Sequence, residues 1–237
     1  MEVHSLFDVS NMPNQGLIFA VDGPSGTGKS TTCRALAKRL GAKYVDTGAM
    51  YRVATLAVLR AGVDPADAPR VIEVTTDMPM DVSDDPDSKA VLLAGEDVSA
   101  EIRGDAVTRN VSAVSAIPEV RDNLVTLQRK LANDAHRAIV EGRDIGTVVL
   151  ADAPAKAYLT ASAAVRAQRR HDQNLAAGME SDFDTVLADV ERRDAADSSR
   201  ATSPLRPAED AVVVDTSEMT LDEVLNRLTQ IAKESAR

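Results

Sequence analysis

Residues Gly23-Pro24-Ser25-Gly26-Thr27-Gly28-Lys29-Ser30 fit the pattern G-x-x-x-x-G-K-S/T and directly follow the apolar run Leu17-Ile18-Phe19-Ala20-Val21. Glycines at this spacing let the backbone turn tightly and aim successive N–H groups at one point, where an anion meets the positive N-terminal end of a helix. Lys29 can then reach the β and γ phosphates of a nucleoside triphosphate, and the Ser30 hydroxyl is placed for Mg²⁺. With Thr31, these residues make up the candidate nucleotide-binding loop.

Arginine is the second signal, because a planar guanidinium holds phosphate oxygens two at a time. Arg52 follows a short second strand, Arg143 follows a buried strand, and Arg166, Arg169, Arg170, Arg193 and Arg200 fall in two late helices. Arg193, Asp197 and Arg200 stand at i, i+4, i+7 and are expected on one helix face, as are Arg166, Arg169 and Arg170 on the preceding helix. Two basic faces joined by a loop would form a mobile clamp that covers transferring phosphates and excludes water. An amphipathic hairpin with surface ion pairs is the competing picture, because acidic residues alternate with these arginines.

Composition narrows the function further. A formal charge of −10 opposes binding to a nucleic-acid backbone, and three Tyr, three Phe and no Trp leave little to stack on bases. The single cysteine, Cys33, lies on the apolar stripe of a helix and reads as core, and the three histidines show no metal-ligand spacing. No apolar run is long enough for a membrane span and no signal-peptide pattern is visible. A cytoplasmic monomer, folded as one compact unit around 44% apolar residues, is expected.

Strands separated by helices must position these residues. After a tail over residues 1–15, the first strand and phosphate loop lead into a helix with Cys33, Leu36, Ala37 and Leu40 at i, i+3, i+4, i+7 and a stop at Gly41. Lys43-Tyr44-Val45 makes a second strand running into Asp46–Arg52, and a helix follows with Val53, Leu56, Ala57 and Arg60 in register. Between about 64 and 117 prolines punctuate the chain, and Met80 and Val82 alternate opposite Val91 and Leu93, which predicts a small antiparallel hairpin. A helix over about 105–116 is followed by one opening at Pro118, with Leu124, Leu127 and Leu131 along one side. Strands are expected at 138–140, 155–159 and 211–214, helices at about 162–177 and 182–198, and a last helix opened by the capping box Thr220-x-x-Glu223. This order argues for an α/β fold, a parallel sheet wrapped on both faces, with its ligand crevice beyond the strands' carboxyl ends.

The segments IFAVDGPSGTGKSTT, YVDTGAMYR, LAGEDVSAEIR, IPEVRDNL, IVEGRDIGTVV and RRDAADSSRATSPL, in this order, resemble the bacterial cytidylate kinases of the nucleoside monophosphate (NMP) kinase group over about residues 17–230. The resemblance implies a P-loop kinase in three parts: a core (16–63 and 118–237), an NMP-binding insertion (64–117) and a helical lid (166–200). It implies transfer of a phosphoryl group from ATP, with Mg²⁺, to CMP or dCMP. Arg52 and Arg143 would hold the acceptor phosphate, Ser112, Arg121 and Asp144 would read cytosine, and Asp197 with Arg193 would meet the sugar. Arg200 and the Arg169/Arg170 pair match the lid arginines near the transferring group. Thr47 takes a hydroxyl position where some members carry serine, and Glu141 stands where others have an aspartate that helps to hold hydrated Mg²⁺. Asp144 suits cytosine physically, since a carboxylate accepts from its exocyclic amine whereas uracil would present another acceptor.

Three other readings share the phosphate loop. A regulatory GTPase would need an N-K-x-D guanine reader and a D-x-x-G switch, and neither pattern occurs. A UMP/CMP or shikimate kinase-like enzyme is the nearer rival, with the inserted hairpin and the many arginines counting against shikimate. A non-enzymatic nucleotide-binding protein would have no use for arginines at both ends of a phosphoryl path.

Overall fold

The structure, a computed structural model, describes residues 16–235. The tail expected over residues 1–15 lies outside them. Its centre is a five-stranded parallel sheet in the order β2-β6-β1-β7-β8, formed by β1 (Leu17–Asp22), β2 (Lys43–Asp46), β6 (Arg137–Gly142), β7 (Ala155–Thr160) and β8 (Val212–Asp215). The period of two along β1 divides its side chains between two cores. Phe19 and Val21 join Leu36, Leu40, Ile139 and Leu228 on the face covered by α1 (Lys29–Leu40) and α8 (Leu221–Ser235). Ala20 joins Met50, Leu124, Ala138 and Val140 on the face covered by α2 (Thr47–Arg60) and α5 (Pro118–Asp134).

A three-stranded antiparallel sheet, β3 (Met80–Val82), β4 (Val91–Leu93) and β5 (Glu96–Asp97), sits against α2. Its first pair has the register that the alternation predicts, Met80 opposite Leu93 and Val82 opposite Val91. Between α2 and β3 runs α3 (Ala68–Thr75), a helix that the prolines concealed: Pro69 occupies its first turn, where no N–H is required, and Asp67 caps it. α4 (Asp105–Val114) leads back to α5, and the chain then adds α6 (Ala163–Ala176) and α7 (Phe183–Ser198), which pack on each other. Among the described residues, no helix is long and apolar enough to cross a membrane.

Three elements differ from expectation. α2 begins at Thr47, capped by Asp46, whose carboxylate accepts from Ala49 N at 2.9 Å, so the stretch read as a lead-in already belongs to the helix. α5 is rotated: its inward stripe is Val120, Arg121, Leu124, Val125, Gln128 and Ala132, with two polar residues where Leu127 and Leu131 were expected to dominate. α7 ends at Ser198, so Arg200 lies past the helix rather than on its face.

β1 closes on Asp22, whose two carboxylate oxygens accept from Ile145 N (2.8 Å) and Gly146 N (2.7 Å). Those donors open a single π-helical turn, Ile145–Val149, directly after Asp144. Burial, against those two donors, lifts the Asp22 carboxyl from 3.8 to about 6. The folded chain therefore binds this proton more tightly than the unfolded chain, and the contribution of Asp22 to stability falls as pH rises from about 4 to about 6. Thermal melting across that range should show the slope in the native chain and lose it in Asp22→Asn. In the core, Leu228 is 0% exposed and Leu228→Ala should cost about 2–5 kcal/mol in urea unfolding. Leu221 on the same helix is 47% exposed, and Leu221→Ala should stay within about 0.5 kcal/mol.

Candidate active site

β1 and β6 are hydrogen-bonded neighbours with Asp22 opposite Gly142, so the phosphate loop and the Arg143-Asp144 corner leave the sheet side by side. The loop's first residue must be glycine: at Gly23 φ is 146°, and a Cβ would come within 2.0 Å of the Leu159 carbonyl oxygen. Lys29 folds back over the loop, its Nζ donating to Gly23 O (2.7 Å) and Pro24 O (2.6 Å). The Thr27 hydroxyl donates to Pro24 O at 3.2 Å. Burial, and then the charge of Arg143, push the Lys29 ammonium below its ordinary pKa. An arriving phosphate would reverse that push.

At the mouth of the loop the Ser30 hydroxyl donates to Glu141 Oε1 at 2.7 Å, and the Tyr44 hydroxyl donates to the same oxygen at 2.6 Å. Glu141 Oε2 is buried without a partner among the described residues. Burial, followed by the nearby Asp46, raises the Glu141 pKa. A serine hydroxyl beside an orphaned carboxylate oxygen fits a hard cation such as Mg²⁺. No group of three or more His, Cys, Asp or Glu among the described residues could hold a metal alone, so phosphates and waters would have to complete its shell. Thr47 sits just behind, its buried hydroxyl donating to Glu141 O at 2.7 Å.

Four arginines converge on the other side of Gly142. Arg143 Nε stands 3.2 Å from Asp197 Oδ2, and Arg200 donates to Asp197 Oδ1 from beyond the end of α7 and not from the helix face expected for it. Arg193 is pushed down to about 9 by burial and then by Arg143 and Arg52, and its Nε is buried without a partner among the described residues. Arg52, lowered to about 10 by burial with Arg143 and Arg170 adding to it, donates to Ile102 O (2.9 Å) and Thr108 Oγ1 (3.0 Å). Arg143 and Arg200 share the Asp197 carboxylate, and four guanidiniums gathered at one place suit an anion.

Beside this cluster lies a buried ion pair in which Arg121 donates to Asp144 Oδ2. Arg121 Nη1 also donates to Ser115 O (3.3 Å), and Ser115 Oγ donates to Ser112 O (3.3 Å), which places half-buried Ser112 next in line on α4. Asp144 thus pairs with Arg121, while Arg143 pairs with Asp197.

The lid arginines part ways. Arg166 is not on a shared basic face: it is buried, forks onto Asp194 of α7 (3.0 and 2.5 Å), and donates to Ser25 O at 3.2 Å. It ties α6 and α7 to the phosphate loop. Arg169 donates to Thr216 Oγ1 (3.2 Å) and Thr216 O (2.6 Å), and Thr216 in turn donates to Thr27 O at 3.4 Å. Arg170 is exposed, and its charge reaches Arg52 across the cleft. Sequence reasoning passed over Tyr44 and Asp22. Asp22 could have been found from its place at the carboxyl end of a buried strand, whereas nothing in the sequence marks Tyr44.

The family model described as cytidylate kinase matches residues 19–234. A cytidylate kinase from Corynebacterium efficiens is 69% identical over 225 residues, covering 95% of this chain and 98% of that one. One from Rhodococcus opacus is 61% identical over 223 residues, covering 94% and 97%. Among solved structures, an uncharacterised protein from Eubacterium ventriosum superposes with a TM-score of 0.53 at 11% identity over 93% of this chain and 99% of that chain, a likeness of fold. With a family match across nearly its whole length and relatives this similar, the chain belongs to the cytidylate kinase family.

Proposed function

We propose that this chain transfers the γ-phosphoryl group of ATP to CMP or dCMP, giving ADP and CDP or dCDP. The observation that carries this reading is the convergence of Arg52, Arg143, Arg193 and Arg200 beside the Arg121–Asp144 pair, one strand away from the phosphate loop. The loop from Gly23 to Thr31 binds the ATP phosphates, with Lys29 leaving its carbonyls for the β and γ oxygens. Arg52 and Arg143 receive the acceptor's phosphate, and Asp197, released in part, meets the sugar together with Arg193. Arg121, Asp144 and Ser112 read the base.

Ser30 and Glu141 would hold Mg²⁺ together with water. When bound, the ion would offset charge building between the β and γ phosphates. Arg170 and Arg200 stand where charge spreads over the transferring group. Arg169, through Thr216, sets the lid against the donor loop. Residues 64–117 act as the acceptor-binding unit, 166–200 as the lid, and the remainder as the core. Closure of the lid excludes water, so that the phosphoryl group passes to the acceptor and not to solvent.

The test is ADP release with CMP, dCMP, UMP, AMP and shikimate as acceptors at saturating MgATP. CMP and dCMP should turn over best; AMP or shikimate leading the panel would overturn the reading. For the base, Asp144→Asn can donate as well as accept and so can face the O4 carbonyl of uracil. It also leaves the buried Arg121 without its counter-charge, so both pyrimidines should suffer. The ratio of kcat/KM for CMP over UMP should nevertheless fall by about 1–3 kcal/mol in ΔΔG‡. An unchanged ratio means that Asp144 does not read the base.

A further inference from the structure

α5 carries two polar residues on its inward stripe, Arg121 and Gln128, seven positions apart and so on one helix face. Gln128 is 0% exposed, and neither its amide nitrogen nor its oxygen has a well-formed hydrogen bond among the described residues. The same holds for the hydroxyl of Tyr51, which the Gln128 side chain faces from across the α2–α5 contact. The Tyr51 ring lies under Arg121, whose guanidinium carbon is 5.3 Å from the ring centroid. Burial, opposed by Arg121, pushes the phenol up to about 12, so it keeps its proton and remains a donor.

An amide buried without good partners costs more than an apolar side chain of the same shape, and a native structure holding one calls for a reason. The neighbours here supply it. Gln128 faces the phenol, the ring restrains the plane of Arg121, and Arg121 grips Asp144, so the side chains form an unbroken line to the base-reading carboxylate. We propose that Tyr51 and Gln128 are positioning residues for base discrimination, holding Arg121 against Asp144 so that the carboxylate meets the exocyclic amine of cytosine in a fixed orientation. This rests on the assignment of Asp144 and Arg121 as base readers.

The experiment compares Gln128→Met, which keeps the length and removes the amide, and Tyr51→Phe, which keeps the ring and removes the hydroxyl, with Asp144→Asn as reference. Steady-state kinetics with CMP and UMP should show the ratio of kcat/KM falling about 5- to 20-fold in both variants, with the KM for ATP unchanged. The double variant should lose no more than the worse single one, because the two residues act as one unit. The melting temperature of Gln128→Met should hold or rise, since an orphaned amide has been replaced by an apolar group. A ratio unchanged in both variants while Asp144→Asn lowers it overturns the positioning role and leaves the base readers standing. A lower melting temperature with an intact ratio makes Gln128 a packing residue only, which also overturns the proposal. If Asp144→Asn leaves the ratio unchanged, the assignment of the base readers fails and this inference fails with it.

Discussion

The parallel pairing of β1 with β6 fixes the distance between the two loops on which the chemistry depends. Six consecutive register pairs, from Leu17 opposite Arg137 to Asp22 opposite Gly142, leave neither strand free to slip without turning its buried faces outward. β1 then delivers the phosphate loop and β6 delivers Arg143-Asp144. Asp22 adds a second constraint at the same point, since its carboxylate holds the first two free amides of the π-helical turn after Asp144. Donor and acceptor loops are therefore joined by backbone pairing and by a buried carboxylate, both on rigid elements.

Electrostatics completes what the sheet positions. The chain carries a formal charge of −10, yet its cleft gathers arginines that lower one another's pKa. Net charge keeps polyanions at a distance while the local field favours a small phosphate. α7 supplies the carboxylates that hold this arrangement before ligand arrives: Asp197 serves Arg143 and Arg200, and Asp194 serves Arg166. The two do different work. Arg166 is enclosed and bidentate, a latch between α7 and the phosphate loop, whereas Arg143 is 21% exposed at its side chain and free to exchange Asp197 for a phosphate oxygen.

Much of this was legible in the sequence because it is local. The phosphate loop, the 80–93 hairpin with its register, the strand end bearing Arg143, and the helices α6 and α7 all follow from periodicity and turn chemistry over a few residues. What stayed hidden depends on partners distant in sequence. Arg166 shares a helix and a charge with Arg169 and Arg170, and only the position of Asp194, 28 residues on, turns it inward. The rotation of α5 has the same origin: its leucines alone suggest one stripe, but Asp144 from another element draws Arg121 inward, and Gln128, seven positions on, shares that face. α3 was masked because proline marks both a loop and the first turn of a helix.

Glu141 brings these threads to one residue. Its carboxylate is one methylene longer than aspartate, and in the buried end of a strand such length could point in several directions. Tyr44, from the neighbouring strand, and Ser30, from the first turn of α1, both donate to Oε1 and fix the head group, while Thr47 secures the carbonyl behind it. Tyr44 is itself held flat beneath the Arg34 guanidinium, 4.3 Å from its ring centroid. Three hydroxyls from three elements thus converge on one glutamate and leave Oε2 buried and, among the described residues, unpartnered. For structure alone that would be a poor solution, since burial already raises the pKa of this carboxyl. It is a sound one for a group that waits for positive charge: a cation at Oε2 would lower that pKa, satisfy the orphaned oxygen and leave the Ser30 hydroxyl turned toward the same ion.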